Sequence, residues 1–465
     1  MGTDDLHWLE ITELAKLIQL RRVSPVEVVE AMLARIDRLD RRLHAFVRTT
    51  PELALEQARH AEARIARREY LGPLHGVPIA FKDLNWTRGV ATGAGMPMFR
   101  DWLPPCDGTV VERLRTAGAV MLGKLQMTEG AFADHHPAVT VPVNPWHPDH
   151  WVGASSSGTG AAVAAGLCFG ATGSDTGGSI RFPCTANGVT GIKPTWGRVS
   201  RFGAYELAAT LDHIGPMARS AADCGLLLGA MAGSDPNDPT ASRQPVPDYL
   251  GGDERSLAGL VIGIDDAYAA PVEPEIAEGL RAAADVLRRL GATLRPVRMP
   301  DVEPVIADWP VDCAVQTAVA HARTFPARRA EYGPGLAGLL EMATTVSGMD
   351  YQRVLLRRAD FTGRMHALFG EIDLLLMPGQ VWASPTVAQM ARLGQDPSQF
   401  SALVRFTAPF DSSGHPAITM PSGFTAAGLP VSIQLAAGHF REDVLVRAGR
   451  AFQRETDWHR RHPRL

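Results

Sequence analysis

"GSDTGGSIRFP" (residues 173–183) places an Asp, a Thr, two adjacent glycines and a Ser between apolar stretches of a 465-residue chain. A glycine pair weakens helices and strands, so it marks either a turn or a close approach of the backbone. Gly177 and Gly178 would let successive backbone amides converge on one point, the geometry an oxyanion needs, with Ser179 beside them. A tight turn with a capping Ser is the competing reading, and the flanking sequence bears on the choice.

Upstream, "WVGASSSGTGAAVAAG" (151–166) has the composition of a flexible Gly/Ser linker, yet it runs straight into an apolar Ala-rich helix. A Gly/Ser turn feeding a helix N-terminus presents N–H groups and hydroxyls to one point. Further out the pattern alternates. "GVPIAFKDLNW" (76–86) reads as a buried strand, "GTVVERLRTAG" (108–118) as a helix, and "AVMLGKL" (119–125) as a strand. "AEGLRAAADVLRRLGATL" (277–294) is a helix leading into a strand, while "DLLLMPG", "HPAITMPSGF" and "GLPVSIQLAAG" are strand-like. This alternation predicts an α/β fold. The first 70 residues read as helices; one opens at Ser24 with Pro25 at the first helical position and Glu27 closing a capping box. The stretch 233–256 reads as a long surface excursion, and 301–370 as mainly helical.

Composition sets outer bounds. The chain is 45% hydrophobic and 21% charged, with 46 basic against 50 acidic residues and a formal charge of −4. That balance gives no reason to expect nucleic acid or an anionic membrane as partner. Five scattered cysteines without a CxxC pair argue against a disulfide framework or thiolate zinc site and fit a cytoplasmic protein. The start "MGTDDLHWLEITELAK" does not read as a signal peptide, and no run approaches the ~20 apolar residues that span a bilayer.

Several motifs are excluded. "GGSIR" has Arg181 where a GxSxG elbow needs Gly, so a Ser–His–Asp reading is unsupported. "GAVMLGKL" (118–125) has Leu125 where a phosphate-binding loop needs Ser or Thr. His135, His136, His147 and His150 match no HExxH spacing, so no metal is expected there. A serine nucleophile still needs a base, and Lys82 ends a buried apolar run where desolvation would lower its pKa. Taken alone, a lysine there also fits an ion-paired strand end.

Together these stretches resemble the amidase signature family of serine hydrolases. "GASSSGTGAAVAAG" and "GSDTGGSIRFP" fall in register with its hallmark, and "GIKPTWGRVSRFG", "TLDHIGPMARSAAD", "GPLHGVPIAFKD" and "FTAPFDSSGHPAITMPSGF" extend the likeness, which weakens over about 235–370. The resemblance implies one domain (1–465) built on a large mixed, twisted sheet surrounded by helices. Within it lie a helical arm (1–70), a catalytic core (71–232), a variable substrate-shaping region (233–370) and a C-terminal part of the core sheet (371–465). It implies Lys82 as general base, Ser155 as bridging serine, Ser179 as acyl-forming nucleophile, and the amides of Thr176, Gly177, Gly178 and Ser179 as oxyanion hole. No metal or organic cofactor is implied.

Three consecutive serines leave Ser156 as a second candidate bridge, and Ala154, Ser157 and Ser174 depart from the usual pattern. The expected reaction is hydrolysis of small-molecule amides, extending to esters and carbamates, by a monomer or homodimer. Trp309, Phe325, Met342, Met349, Tyr351 and Trp382 are candidates for an apolar or aryl pocket. The alternative is the amidase-type subunit of a glutamine-dependent transamidase working with partner proteins, for which Arg358, Arg364 or Arg405 would hold the glutamine carboxylate.

Overall fold

The computed structural model describes residues 3–252, 255–393 and 396–465, and its framework is one eleven-stranded sheet. In chain order the strands are Phe46–Thr49 (β1), Pro78–Lys82 (β2), Val120–Leu125 (β3), Gly170–Asp175 (β4), Thr190–Lys193 (β5) and His213–Ala218 (β6). Val261–Ile264 (β7), Thr293–Pro296 (β8), Leu374–Pro378 (β9), Ala417–Phe424 (β10) and Pro430–Ala437 (β11) complete it. Their spatial order is β1-β3-β2-β4-β6-β5-β10-β11-β9-β7-β8. The β3/β2/β4 and β9/β7/β8 neighbours run parallel and the remaining pairs antiparallel, which makes the sheet mixed.

The apolar runs have a direct physical cause. β2, β3 and β4 are buried at every position, as parallel strands covered on both faces must be. β9 and β11 are buried throughout as well, which accounts for "LLLMP" and "PVSIQLAA". The helices expected from the N-terminal pattern form at Pro25–Leu43 and Pro51–Ala66 and pack on each other. The Ser24 hydroxyl accepts from Val26 N at 3.0 Å, and Glu27 Oε2 accepts from Ser24 N at 3.0 Å.

The helical reading of residues 1–70 needs one correction, because β1 lies between those helices and pairs with β3 at the sheet edge. Four residues held by one neighbouring strand leave too short a pattern to stand out. The 233–370 stretch also supplies β7 and β8, so it builds sheet as well as surface. The excursion 233–256 contains no helix or strand among its described residues. It is tied down by Asp235, which accepts from Thr109 and Ser200, and by Asp238, which accepts from Arg201 N at 2.8 Å. All five cysteines are free, and among the described residues no helix is long and apolar enough to cross a membrane.

Candidate active site

Two parallel neighbours set the site. Ala80 of β2 lies opposite Ala171 of β4, so both strands deliver their carboxyl ends to the same edge, where open α/β sheets place their chemistry. β2 ends in Lys82, and β4 ends in Asp175 at the start of the glycine loop. The Thr172 hydroxyl accepts from Lys82 N at 2.9 Å and fixes the offset.

Lys82 is completely buried, and its Nζ lies 2.7 Å from Ser155 Oγ, 2.9 Å from Ser156 Oγ and 2.8 Å from Ser174 Oγ. Burial brings its pKa down from 10.5 to about 7, against the pull of Asp175 and Asp212 in the opposite direction. The amine is therefore substantially neutral at neutral pH and has a lone pair to offer. The Ala154–Ser155 peptide is cis.

The two candidate bridges differ in their other partners. Ser156 Oγ also lies 3.3 Å from both the backbone O and the N of Ser174. The Ser155 hydroxyl has Lys82 as its single partner among the described residues, which leaves its own proton mobile. Ser174, which reads in sequence only as a departure in loop shape, is a third hydroxyl on the lysine. Its place beside Asp175 at the strand end was the available signal.

Ser179 is half-buried, whereas Lys82, Ser155 and Ser156 are sealed off, so of these four it is the one substrate can reach. Its hydroxyl makes no hydrogen bond among the described residues. Such links are often open before substrate binds. Its carbonyl accepts from Ser156 N at 3.3 Å, which joins the two serine segments.

The glycine loop is held from three sides. Asp175 accepts from Gly178 N at 2.6 Å and Ile180 N at 3.0 Å, and from Arg181 Nη2 at 2.8 Å and Nε at 3.0 Å. Trp309 Nε1 donates to Thr176 O at 2.8 Å, and the Thr407 hydroxyl donates to Gly177 O at 2.7 Å. Side chains are excluded at both glycines: a Cβ on Gly177 would meet the Trp309 ring at 2.5 Å, and one on Gly178, where φ is +133°, would meet Phe182 at 2.4 Å. The Gly178 N–H is committed to Asp175, whereas those of Thr176, Gly177 and Ser179 donate to no protein acceptor among the described residues.

Beneath the loop lies a buried charge cluster. Arg181 Nη2 reaches Asp411 Oδ2 at 2.6 Å as well as Asp175, and all three side chains have no solvent exposure. Burial opposes ionisation of Asp175, but the Arg181 guanidinium outweighs it and holds the carboxyl well below its usual range. Asp411 is driven well up by burial and by the adjacent Asp175. The Asp175 carboxylate and Arg181 thus form a charged pair, with Asp411 on the same guanidinium. Asp175→Asn should lower folding stability by about 3–5 kcal/mol, the scale for one partner lost from a buried pair, measured by urea denaturation.

The remaining candidates scatter. Trp309 meets the loop, with Phe400 at 6.0 Å from its ring, and Trp151 lies 5.7 Å from Phe182. Phe325 packs on Tyr332, Tyr351 bonds Asp312, Met342 and Trp382 are half-buried in the core margin, and Met349 is exposed. A cavity of about 180 Å³ reaches Ser174 and Asp212 and is walled by Tyr205, Arg201 and Asp238; Ser179 is not in its lining. Arg358 is committed to Thr210, Ser412 and Asp312, Arg364 to Asp360, and Arg405 to the Ala267 and Ala270 carbonyls. His135 bonds Ser157 at 2.9 Å, and His147 and His150 pack edge to face.

A family model described as Amidase matches residues 27–446. The chain belongs to the amidase family. Among curated relatives, "Putative amidase AmiD" of Mycobacterium tuberculosis is 48% identical over 461 residues, covering 99% of this chain and 97% of that one. A glutamyl-tRNA(Gln) amidotransferase subunit of Moorella thermoacetica is 40% identical, covering 91% and 92%. Among solved structures, 6-aminohexanoate cyclic dimer hydrolase superposes with a TM-score of 0.87 at 26% identity, covering 99% of each chain. The amidase fold, the mixed sheet and an activity that hydrolyses amide C–N bonds follow from this membership.

Proposed function

We propose that this amidase cleaves small apolar or aryl amides through a Lys82–Ser155–Ser179 relay and an acyl-enzyme on Ser179. The observation that carries the reading is a fully buried lysine, its pKa brought down to about 7, set 2.7 Å from a serine hydroxyl at the mouth of a loop with free amides. Neutral Lys82 Nζ accepts the proton of Ser155 Oγ as Ser155 takes that of Ser179, and Ser179 Oγ attacks the carbonyl carbon. The oxyanion rests on the amides of Thr176, Gly177 and Ser179, where each donor is worth ~3 kcal/mol. The C–N bond breaks as the relay returns a proton to the leaving amine. Water then attacks the ester, gives a proton to the same relay, and releases the acid and free Ser179. Esters change the leaving group and carbamates also change the acyl group, but the attack on the carbonyl and the proton transfers are the same, so the same relay serves them.

Apolar or aryl substrates are favoured by the aromatic flanks of the loop, Trp309 with Phe400 on one side and Phe182 with Trp151 on the other. A free-standing enzyme is favoured over the transamidase subunit by the three arginines, each already engaged by protein acceptors. The test is release of nitroaniline from a small acyl nitroanilide by the isolated chain. Hydrolysis confined to glutamine, and only with partner subunits added, would overturn the reading.

Trp309 acts as a positioning residue in this scheme. Trp309→Phe keeps the ring against Gly177 but removes the bond to Thr176 O. The expected result is a fall in kcat on the order of 10-fold with KM little changed, below the ~10²-fold of an ångström's misplacement. A change in KM alone would mean that Trp309 only contacts substrate.

A further inference from the structure

Away from the relay, three histidines from distant parts of the chain converge. His366 lies in the last turn of the helix Gly348–Phe369, His415 in the turn before β10, and His439 just after β11. Their ring centroids are 4.1 Å apart for His415–His439, 4.6 Å for His366–His439 and 5.0 Å for His366–His415. One ring nitrogen from each lies within 4.8 Å of the other two.

Independently of that spacing, His415 has no solvent exposure, and neither of its ring nitrogens has a hydrogen-bond partner among the described residues. A buried imidazole with both nitrogens unmatched pays the desolvation of a donor and an acceptor for nothing in return, which calls for a further partner. Phe369 stacks on its ring at 5.0 Å and holds it in place. His439 Nε2 lies 2.9 Å from Ser413 O, an acceptor only, so that nitrogen carries the proton and Nδ1 is left with a lone pair. This is the outer hydrogen bond typical of a metal-ligating histidine.

We propose that His366, His415 and His439 form a binding site for a Zn²⁺-type transition-metal ion, separate from the catalytic relay. Imidazole sets suit zinc, cobalt, nickel or copper, whereas magnesium and calcium require oxygen ligands. Zn–N bonds of about 2.0 Å place tetrahedral ligand nitrogens about 3.3 Å apart, so the three rings would draw together on the ion. His366 is the exposed member of the three and leaves room for water as a fourth ligand. An ion held there clamps the end of the Gly348–Phe369 helix to the segments that flank β10 and β11. The same helix carries Arg358, which donates to Ser412 O at 2.6 Å, so the clamp stiffens a contact that already exists.

The test titrates the chelator-stripped full chain with ZnCl₂ by calorimetry and records thermal midpoints with and without the ion. One equivalent should bind and raise the midpoint, while MgCl₂ does neither. His366→Ala, at an exposed position that leaves the fold intact, and His439→Ala should weaken binding by more than the ~10–100-fold that loss of an outer partner brings. His366→Ala should also abolish the zinc-induced midpoint shift. Co²⁺ bound in place of zinc should give the intense visible bands of a tetrahedral site. The proposal is overturned if no saturable single equivalent binds, or if both variants bind zinc as the native chain does, which would put the ion on other histidines.

Discussion

Ser179→Ala is expected to reduce amide hydrolysis on the order of 10⁶-fold, the scale of losing a hydrolase nucleophile, while leaving the fold in place. Ser179 is half-buried and its hydroxyl has no partner among the described residues, so removing one oxygen breaks no internal bond. Labelling by a serine-directed fluorophosphonate should vanish with it. Ser156→Ala should lose far less, because its hydroxyl is divided between Lys82 and the Ser174 backbone. Steady-state rates on an acyl nitroanilide check both. Ser179→Ala activity within about 10-fold of the native enzyme is incompatible with covalent catalysis at that residue.

The second large effect is on pH. Protonation of Lys82 removes the acceptor at the end of the relay, and burial sets that protonation at about 7. With acylation as the slow step, log(kcat/KM) should climb with a slope of about one below that pH and level off above it. Lys82→Met should lose activity on the order of 10⁴-fold and abolish the acid limb. Lys193 is also buried with its pKa brought down to about 7, so the variant is needed to assign the limb. The stability contribution of this group runs in the same direction. The unfolded chain holds Lys82 charged up to its ordinary pKa of 10.5, and the folded chain releases that proton near 7. Between those values the unfolded state binds the extra proton, so this group's contribution to stability rises with pH. At neutral pH the buried amine opposes folding, and Lys82→Met relieves that burden while removing function. A profile flat from acid to alkaline pH would remove Lys82 as a titrating base.

Much of the core was legible because burial writes itself into sequence. β2 sits between two parallel neighbours, so its residues read as an uninterrupted apolar run, and the lysine that ends it stands out. The capping box at Ser24 and Glu27 is a local device and was readable locally. What escaped the sequence depended on distant neighbours. β1 is too short to carry a period and owes its form to β3. Ser174 looked like a variation in loop shape until β2 placed Lys82 beside it. Which loop amides stay free was decided by Asp175 folding back on Gly178. Asp411 reaches the loop from a helix far along the chain and nothing local marks it, while Trp309, a pocket candidate in the sequence, holds the loop by a bond that no local pattern shows. The histidines had the same fate: the conspicuous run at 134–151 gathers no metal-like set among the described residues, while three scattered residues do.

The most direct test of the central claim is to trap the covalent intermediate. The native chain would be reacted with an aryl carbamate, whose carbamoyl-enzyme hydrolyses slowly, then quenched, digested and fragmented in the mass spectrometer to locate the added group. The account predicts a single carbamoyl group on Ser179 and none on the Lys82→Met chain. A group on Ser155, on Ser156 or on any other residue would contradict it.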